Sequence, residues 1–251
     1  MGDIEAHRRR REAYMKAIGD RGCALVHSPP EVIRNGDAHY PFRQSSDLYY
    51  LTGFAEPEAT LVLRPGAEEH KVVLFVRPRD PEREVWDGRR AGLEGACERF
   101  GADVAYPIDE LDERLGKLLA NVDDLHYSLG HDAEFDLKVC AVLAGLRKRE
   151  RRGLRAPERV IDPRKTLHEL RLHKDAEELA TLRKAAAITA EAHAEAMKLA
   201  KDGVYEYELA AVIDYTFRRR GGSGPGYSSI VGSGVNATIL HYIDNDQPLR
   251  D

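Results

Sequence analysis

A chain of 251 residues, 42% apolar and 32% charged, has the composition of an ordinary globular protein and the length for two domains or one large one. Its formal net charge of -5 argues against a general nucleic-acid binder, because phosphate contacts favour a basic surface. No apolar run approaches the roughly 20 residues of a membrane span, and nothing before Ala13 resembles a secretory leader. The cysteines Cys23, Cys97 and Cys140 are far apart and odd in number, so a reducing, cytoplasmic setting is expected.

In chain order, residues 4–19 predict a helix. Its basic run Arg8–Arg11, flanked by Glu5 and Glu12, reads as a solvated face. Cys23–His27 (CALVH) predicts a strand, and a long aromatic connection runs from Arg34 to Phe54. Thr60–Leu63 and Val72–Val76 predict a hairpin around PGAEEH. The only tryptophan, Trp86, sits in EVWDGRR, where an interface anchor and core packing are both open readings. A helix near Leu93–Phe100, a strand at Val104–Pro107, a helix over Ile108–Leu119, a strand at Leu125–Leu129 and a helix over Ala133–Lys148 follow. Strands alternating with helical patterns predict a mixed α/β layer.

The basic stretch at 147–159 interrupts the apolar pattern and carries Gly153 and Pro157. It suggests an N-terminal domain over 1–160, a linker over 161–174 and a second domain from 175 to 251. Asp175 with Glu178 reads as a capping box opening a long helix. Its apolar positions Leu179, Leu182, Ala186, Ala190, Met197 and Ala200 recur at helical spacing. A second helix carries Leu209, Val212, Ile213 and Phe217. After the glycine-rich GGSGPG, Ser228–Val231 and Ala237–Tyr242 read as two short strands around a Gly-Ser-Gly turn. A two-stranded hairpin needs further sheet or a covering helix, so the chain is expected to be incomplete as a functional unit.

Stock chemical motifs are absent: there is no CxxC, HExxH, GxxxxGK[ST], GxSxG or strand-borne GxGxxG. GGSGPG lacks the helix that a phosphate cradle wants directly behind it. His241, in ILHY just before IDND, stands out as a titratable group in an apolar setting. It can donate to a carbonyl or oxyanion, or sit hydrogen-bonded in a core, and the residues leave both readings open. Asp244 and Asp246 flank Asn245 but are too few and too close for a hard divalent cation. No complete metal centre is expected within the chain.

Four segments taken together are more specific. PFRQSSDLYYLTGFAEPEATLVL (Pro41–Leu63), EVWDGRRAG (Glu84–Gly92), KTLHELRLHKDAEELATLRKAA (Lys165–Ala186) and YSSIVGSGVNATILHYIDND (Tyr227–Asp246) resemble, in order, the aminopeptidase P family of proline-specific metallopeptidases. The resemblance implies a mixed α/β N-terminal domain followed by the first αββ part of a pita-bread catalytic domain. It also implies a metal-dependent exopeptidase that removes the first residue of peptides with proline second. Two divalent metals, manganese as a rule, would serve the complete protein. The family's metal ligands fall after Asp251, so no metal is expected in this chain alone, and the remaining C-terminal half would be its partner. A creatinase-like metal-free amidinohydrolase and a non-enzymatic peptide-binding or protein-binding module are the alternatives.

Residue by residue, the resemblance puts His241 at the family's active-site histidine, which hydrogen-bonds the substrate carbonyl or tetrahedral intermediate. Tyr227, Ile230 and Val231 fall on the stretch lining the substrate cleft. Trp86 corresponds to a tryptophan reaching the cleft rim from a neighbouring subunit, and Asp37 and Arg151 to an acid and an arginine near that mouth. A homo-oligomer, dimer or tetramer, is implied, with no nucleic-acid or membrane partner.

Overall fold

The structure is a computed structural model that describes residues 4–250. It divides into two compact units, the first ending at His173 and the second beginning at Lys174.

The first unit opens with α1 (Ile4–Ile18) and β1 (Gly22–His27). A small hairpin, β2 (Ile33–Asn35) and β3 (Ala38–His39), and the helix α2 (Ser46–Thr52) lie in the aromatic connection. They are followed by β4 (Thr60–Leu63), β5 (Val72–Val76), α3 (Pro81–Asp87), α4 (Gly92–Glu98) and β6 (Val104–Pro107). The unit continues through α5 (Leu111–Leu119), β7 (Asp124–His126), α6 (Ala133–Arg147), β8 (Arg159–Ile161) and α7 (Arg164–Leu172). Six strands form one sheet in the order β6-β5-β4-β1-β7-β8. Only β4 runs against its neighbours, paired with β1 (Leu25↔Val62) and β5 (Leu61↔Leu74). The β5–β6, β1–β7 and β7–β8 pairs are parallel.

Why these residues make the sheet follows from its two cores. β1 is an unbroken apolar run because both of its faces are covered. Ala24 and Val26 enter a cluster with Tyr14, Leu48, Leu51, Phe54 and Leu167. Cys23 and Leu25 point the other way, toward Leu111, Leu115, Leu119, Val139 and Leu143. Helices thus cover both faces of the sheet. Two glycines allow close approaches. Gly53 ends α2 at φ 70°, and a Cβ there would fall 2.6 Å from His7 Nε2. In the β4–β5 turn, a Cβ at Gly66 would come within 2.1 Å of the Asp20 carbonyl oxygen.

Three expectations change here. Arg8–Arg11 is not wholly a solvated face, because Arg11 is 2% exposed and bonds to backbone carbonyls. Residues 161–174 are not a linker: α7 packs on the first unit, with Leu167 fully buried in its core. The basic stretch is a surface turn after α6, and Arg159 pairs with Asp124 across the β7–β8 edge.

The second unit holds α8 (Ala176–Leu199) and α9 (Glu206–Arg219) packed together. Asp175 and Glu178 form the capping box, with Glu178 N donating to Asp175 Oδ1 at 2.8 Å. The buried seam of α8 is formed by Ala192 and Ala196, and Arg220 reaches Glu191 at 3.0 Å. A buried apolar stripe at the positions that recur at helical spacing is absent: Leu179, Leu182 and Met197 are exposed, and α9 packs on the small-residue side of α8. The expected hairpin is likewise absent. Residues 228–233 are loop, Gly234–Thr238 is a 3₁₀ turn, and the chain then bends back antiparallel to the start of α9. There Gly203 N donates to Leu249 O (3.0 Å) and Leu249 N to Val204 O (2.8 Å). Among the described residues no helix is long and apolar enough to cross a membrane.

Candidate functional site

The part of the second unit that carries His241 is a loop built around one buried carboxylate. Glu206, the first residue of α9, is fully buried. Its Oε1 accepts from Ser233 N at 2.7 Å and Asn236 Nδ2 at 3.3 Å. Its Oε2 accepts from Tyr242 OH at 2.7 Å and Gln247 N at 3.1 Å. The two oxygens therefore hold both ends of the loop 233–247 and two side chains inside it. Burial alone would raise the carboxyl pKa, but the bonds from Tyr242, Ser233, Gln247 and Asn236 outweigh it and hold it below the ordinary range. Burial, with the bond to Glu206 second, pushes the Tyr242 phenol up to about 12, so it stays a donor.

Asn245 is a second pin. It sits at φ 50°, a left-handed conformation that Asn tolerates well, and is buried. Its Oδ1 accepts from Val231 N at 2.9 Å, while its Nδ2 donates to Ser229 O at 2.9 Å and Ile243 O at 3.1 Å. The backbone groups read as strand donors and acceptors in 229–231 are met by this side chain instead.

His241 is exposed, and among the described residues nothing hydrogen-bonds to its ring. It thus combines a free imidazole with a fixed neighbour, Tyr242. Tyr227 and Ile230 are exposed and Val231 is half-buried, all before the loop. In the first unit, Trp86 is 86% exposed on α3. Asp37 is exposed in the β2–β3 turn and Arg151 in the 3₁₀ turn after α6. The three lie on separate elements, and among the described residues no hydrogen bond or ion pair joins them.

Sequence reasoning missed Glu206, Tyr242 and Asn245. Only Asn245 left a signal, since Asn between two aspartates favours a turn with a left-handed residue. Among the described residues, no group of three or more His, Cys, Asp or Glu could hold a metal ion.

The first unit has its own cleft of about 300 Å³ at the carboxyl ends of β1 and β7, where ligands often sit in α/β sheets. Its charged walls are largely self-satisfied. Asp47 pairs with Arg171 at 2.7 Å, Arg164 with Asp162, and Asp132 caps α6 while facing His27 at 3.4 Å.

The fold, with its α/β unit followed by two helices and a pinned loop, is that of a metallopeptidase N-terminal domain joined to part of a pita-bread catalytic region. Residues 7–126 match the family described as "Aminopeptidase P, N-terminal domain", and residues 180–251 match "Metallopeptidase family M24". The chain belongs to the aminopeptidase P family. It is 44% identical over 244 residues to the Xaa-Pro aminopeptidase of Escherichia coli, covering 97% of this chain and 55% of that protein. It is 32% identical over 239 residues to human Xaa-Pro aminopeptidase 3, covering 93% of this chain and 46% of the relative. Among solved structures, Pseudomonas aeruginosa aminopeptidase PepP superposes with a TM-score of 0.96 at 41% identity, covering 99% of this chain and 56% of that one. Zinc-substituted E. coli aminopeptidase P in complex with product superposes at 0.95 with 43% identity, covering 99% and 57%. The chain spans about half the length of the curated relatives it matches.

Proposed function

We propose that this sequence supplies the N-terminal unit and the first part of the catalytic region of a proline-specific, metal-dependent aminopeptidase, which removes the first residue from Xaa-Pro peptides. The observation that carries the reading is the likeness to E. coli aminopeptidase P, 43% identical with 99% of this chain covered. Two divalent ions, manganese by preference, belong to the complete protein and would be held by residues outside this sequence.

The chain's own residues have a definable part. The exposed His241 imidazole donates to the scissile carbonyl oxygen, and donates more strongly as that oxygen gains negative charge. A donor favouring the transition state over the ground state raises turnover rather than binding alone. Tyr227, Ile230 and Val231 form apolar wall for the substrate. The Xaa-Pro amide nitrogen carries no hydrogen, so this wall must recognise the proline ring by shape. Trp86, exposed beside Val85 on α3, is offered together with Asp37 and Arg151 to the cleft rim of a neighbouring subunit in a homo-oligomer. The cytoplasm is the proposed compartment.

The test is hydrolysis of paired peptides by the full-length protein carrying this sequence, supplied with Mn²⁺. The expected result is release of the first residue from an Xaa-Pro peptide and none from its Xaa-Ala counterpart. Binding of the Xaa-Pro peptide without cleavage would make the protein a binding module and overturn the reading.

A further inference from the structure

We infer that Glu206 is the positioning residue of the His241 loop: its carboxylate fixes where the imidazole is presented. The inference rests on the catalytic reading of His241.

Four observations converge. Glu206 lies at the first position of α9, so its backbone is anchored in a helix packed on α8. Its side chain is fully buried, with two donors on each oxygen. Those donors come from the two ends of the loop, from Asn236 within it and from Tyr242, the residue next to His241. By contrast, the His241 ring is exposed and bonded to nothing among the described residues. A free imidazole on an otherwise mobile loop would lose effectiveness, because misplacement by about 1 Å can cost on the order of 100-fold in rate. Among the described residues, Tyr242's phenol is bonded to this carboxylate at 2.7 Å and to Asp246 at 3.2 Å.

Glutamate is the residue type this arrangement needs. A glutamine at 206 keeps the length but turns one oxygen into a donor, which leaves the backbone N–H of either Ser233 or Gln247 facing a donor and without its acceptor. An aspartate keeps the charge but is one methylene too short to reach both ends of the loop. A carboxylate that only filled space would tolerate glutamine. One that holds the loop by accepting on both sides would not.

Two measurements decide it. The first is hydrogen exchange on the full-length protein carrying this sequence, comparing wild type, Glu206→Gln and Tyr242→Phe. Peptides within 233–247 should exchange roughly tenfold faster in both variants, while α8 and the first unit are unchanged. Unaltered protection of the loop overturns the inference. The second is a double-mutant cycle in the full-length protein with an Xaa-Pro peptide. Glu206→Gln should lower kcat about 10–100-fold with KM within about twofold and metal content retained. In a His241→Ala background the same change should cost less than about twofold. An equal loss with and without His241 means that Glu206 supports the fold alone, and the inference falls. If Glu206→Gln does not fold, Tyr242→Phe takes its place in the cycle with the same expectation. If His241→Ala alone leaves kcat intact, the catalytic reading of His241 fails, while the exchange data still decide whether Glu206 holds the loop.

Discussion

Tyr242 donates its phenol hydrogen to Glu206 Oε2 at 2.7 Å, tying the neighbour of an exposed imidazole to the first residue of a helix. With two donors on each of its oxygens, the Glu206 carboxyl can take up a proton only by giving up one of these contacts, which gives the loop a pH dependence of definite sign. The Glu206 carboxyl is held below its ordinary value of 4.5, despite burial, by hydrogen bonds led by the one from Tyr242. A depressed carboxylate contributes stability that is complete above the unfolded pKa and is lost as pH falls through the folded one. Asp246 Oδ1 lies 3.2 Å from the same phenol oxygen. Protection of the Ser233 and Gln247 amides, corrected for intrinsic exchange, should therefore stay flat from neutral pH down to about 4.5 and collapse below it. Loss beginning near pH 6.5 would point to a histidine and sink the assignment.

Arg11 offers a sharper test of the first unit. Its Nη1 donates to Leu51 O at 2.8 Å and its Nη2 to Gly101 O at 3.1 Å, joining α1 to the end of α2 and to the turn before β6. Burial is the main reason its pKa falls to about 10, and it remains charged at neutral pH. Arg11→Met should cost about 2–4 kcal/mol, because two inward-facing carbonyls lose a charged donor. Arg11→Lys, with a single ammonium, can serve only one of them and should fall between. Urea denaturation followed by circular dichroism reads the difference. A loss for the methionine variant below about 0.5 kcal/mol would contradict it.

How far the residues themselves could be read depends on where their partners lie. CALVH, TLVL and VVLFV are apolar on both faces, so local pattern sufficed for three central strands. Asp175 and Glu178 are three residues apart, so the start of α8 was equally local. By contrast, α7 hid in the stretch read as a linker because a single side chain, Leu167, is its buried residue. Ile230, Val231 and Ile239 have strand propensity, but the donors around them are claimed by Glu206 and Asn245, which are distant in sequence. Propensity is a weak prior against such tertiary partners. His241 stood out on chemistry and then on resemblance. The carboxylate that holds its loop left no local trace, since a glutamate in the first turn of a helix is ordinary.

The three cysteines should react in a fixed order. Cys140 is exposed on α6, Cys97 is half-buried and Cys23 is fully buried in β1. Burial pushes the Cys23 thiol up to about 12 and raises that of Cys97 as well, and only the thiolate is the nucleophile. Under native conditions at pH 8, a disulfide reagent should label Cys140 promptly and Cys97 more slowly. Cys23 should react only after denaturant is added. Early modification of Cys23, located by peptide mass, would contradict the packing of β1.

His241 and its neighbour separate function from stability. His241→Ala removes an exposed ring with no hydrogen bond among the described residues, so urea stability should change by less than about 0.5 kcal/mol. Tyr242→Phe keeps the ring's bulk but loses the donor to a buried carboxylate, so it should loosen the loop 233–247. Under the proposed function, His241→Ala in the full-length protein lowers kcat by about 10²–10³, the size typical of losing one oxyanion donor. Tyr242→Phe lowers it less, since the imidazole is still present but spends less time in place. Turnover and unfolding measured on the same two variants check both halves at once. If Tyr242→Phe proved the more damaging to catalysis, the phenol itself would be the reacting group and the role given to His241 would be wrong.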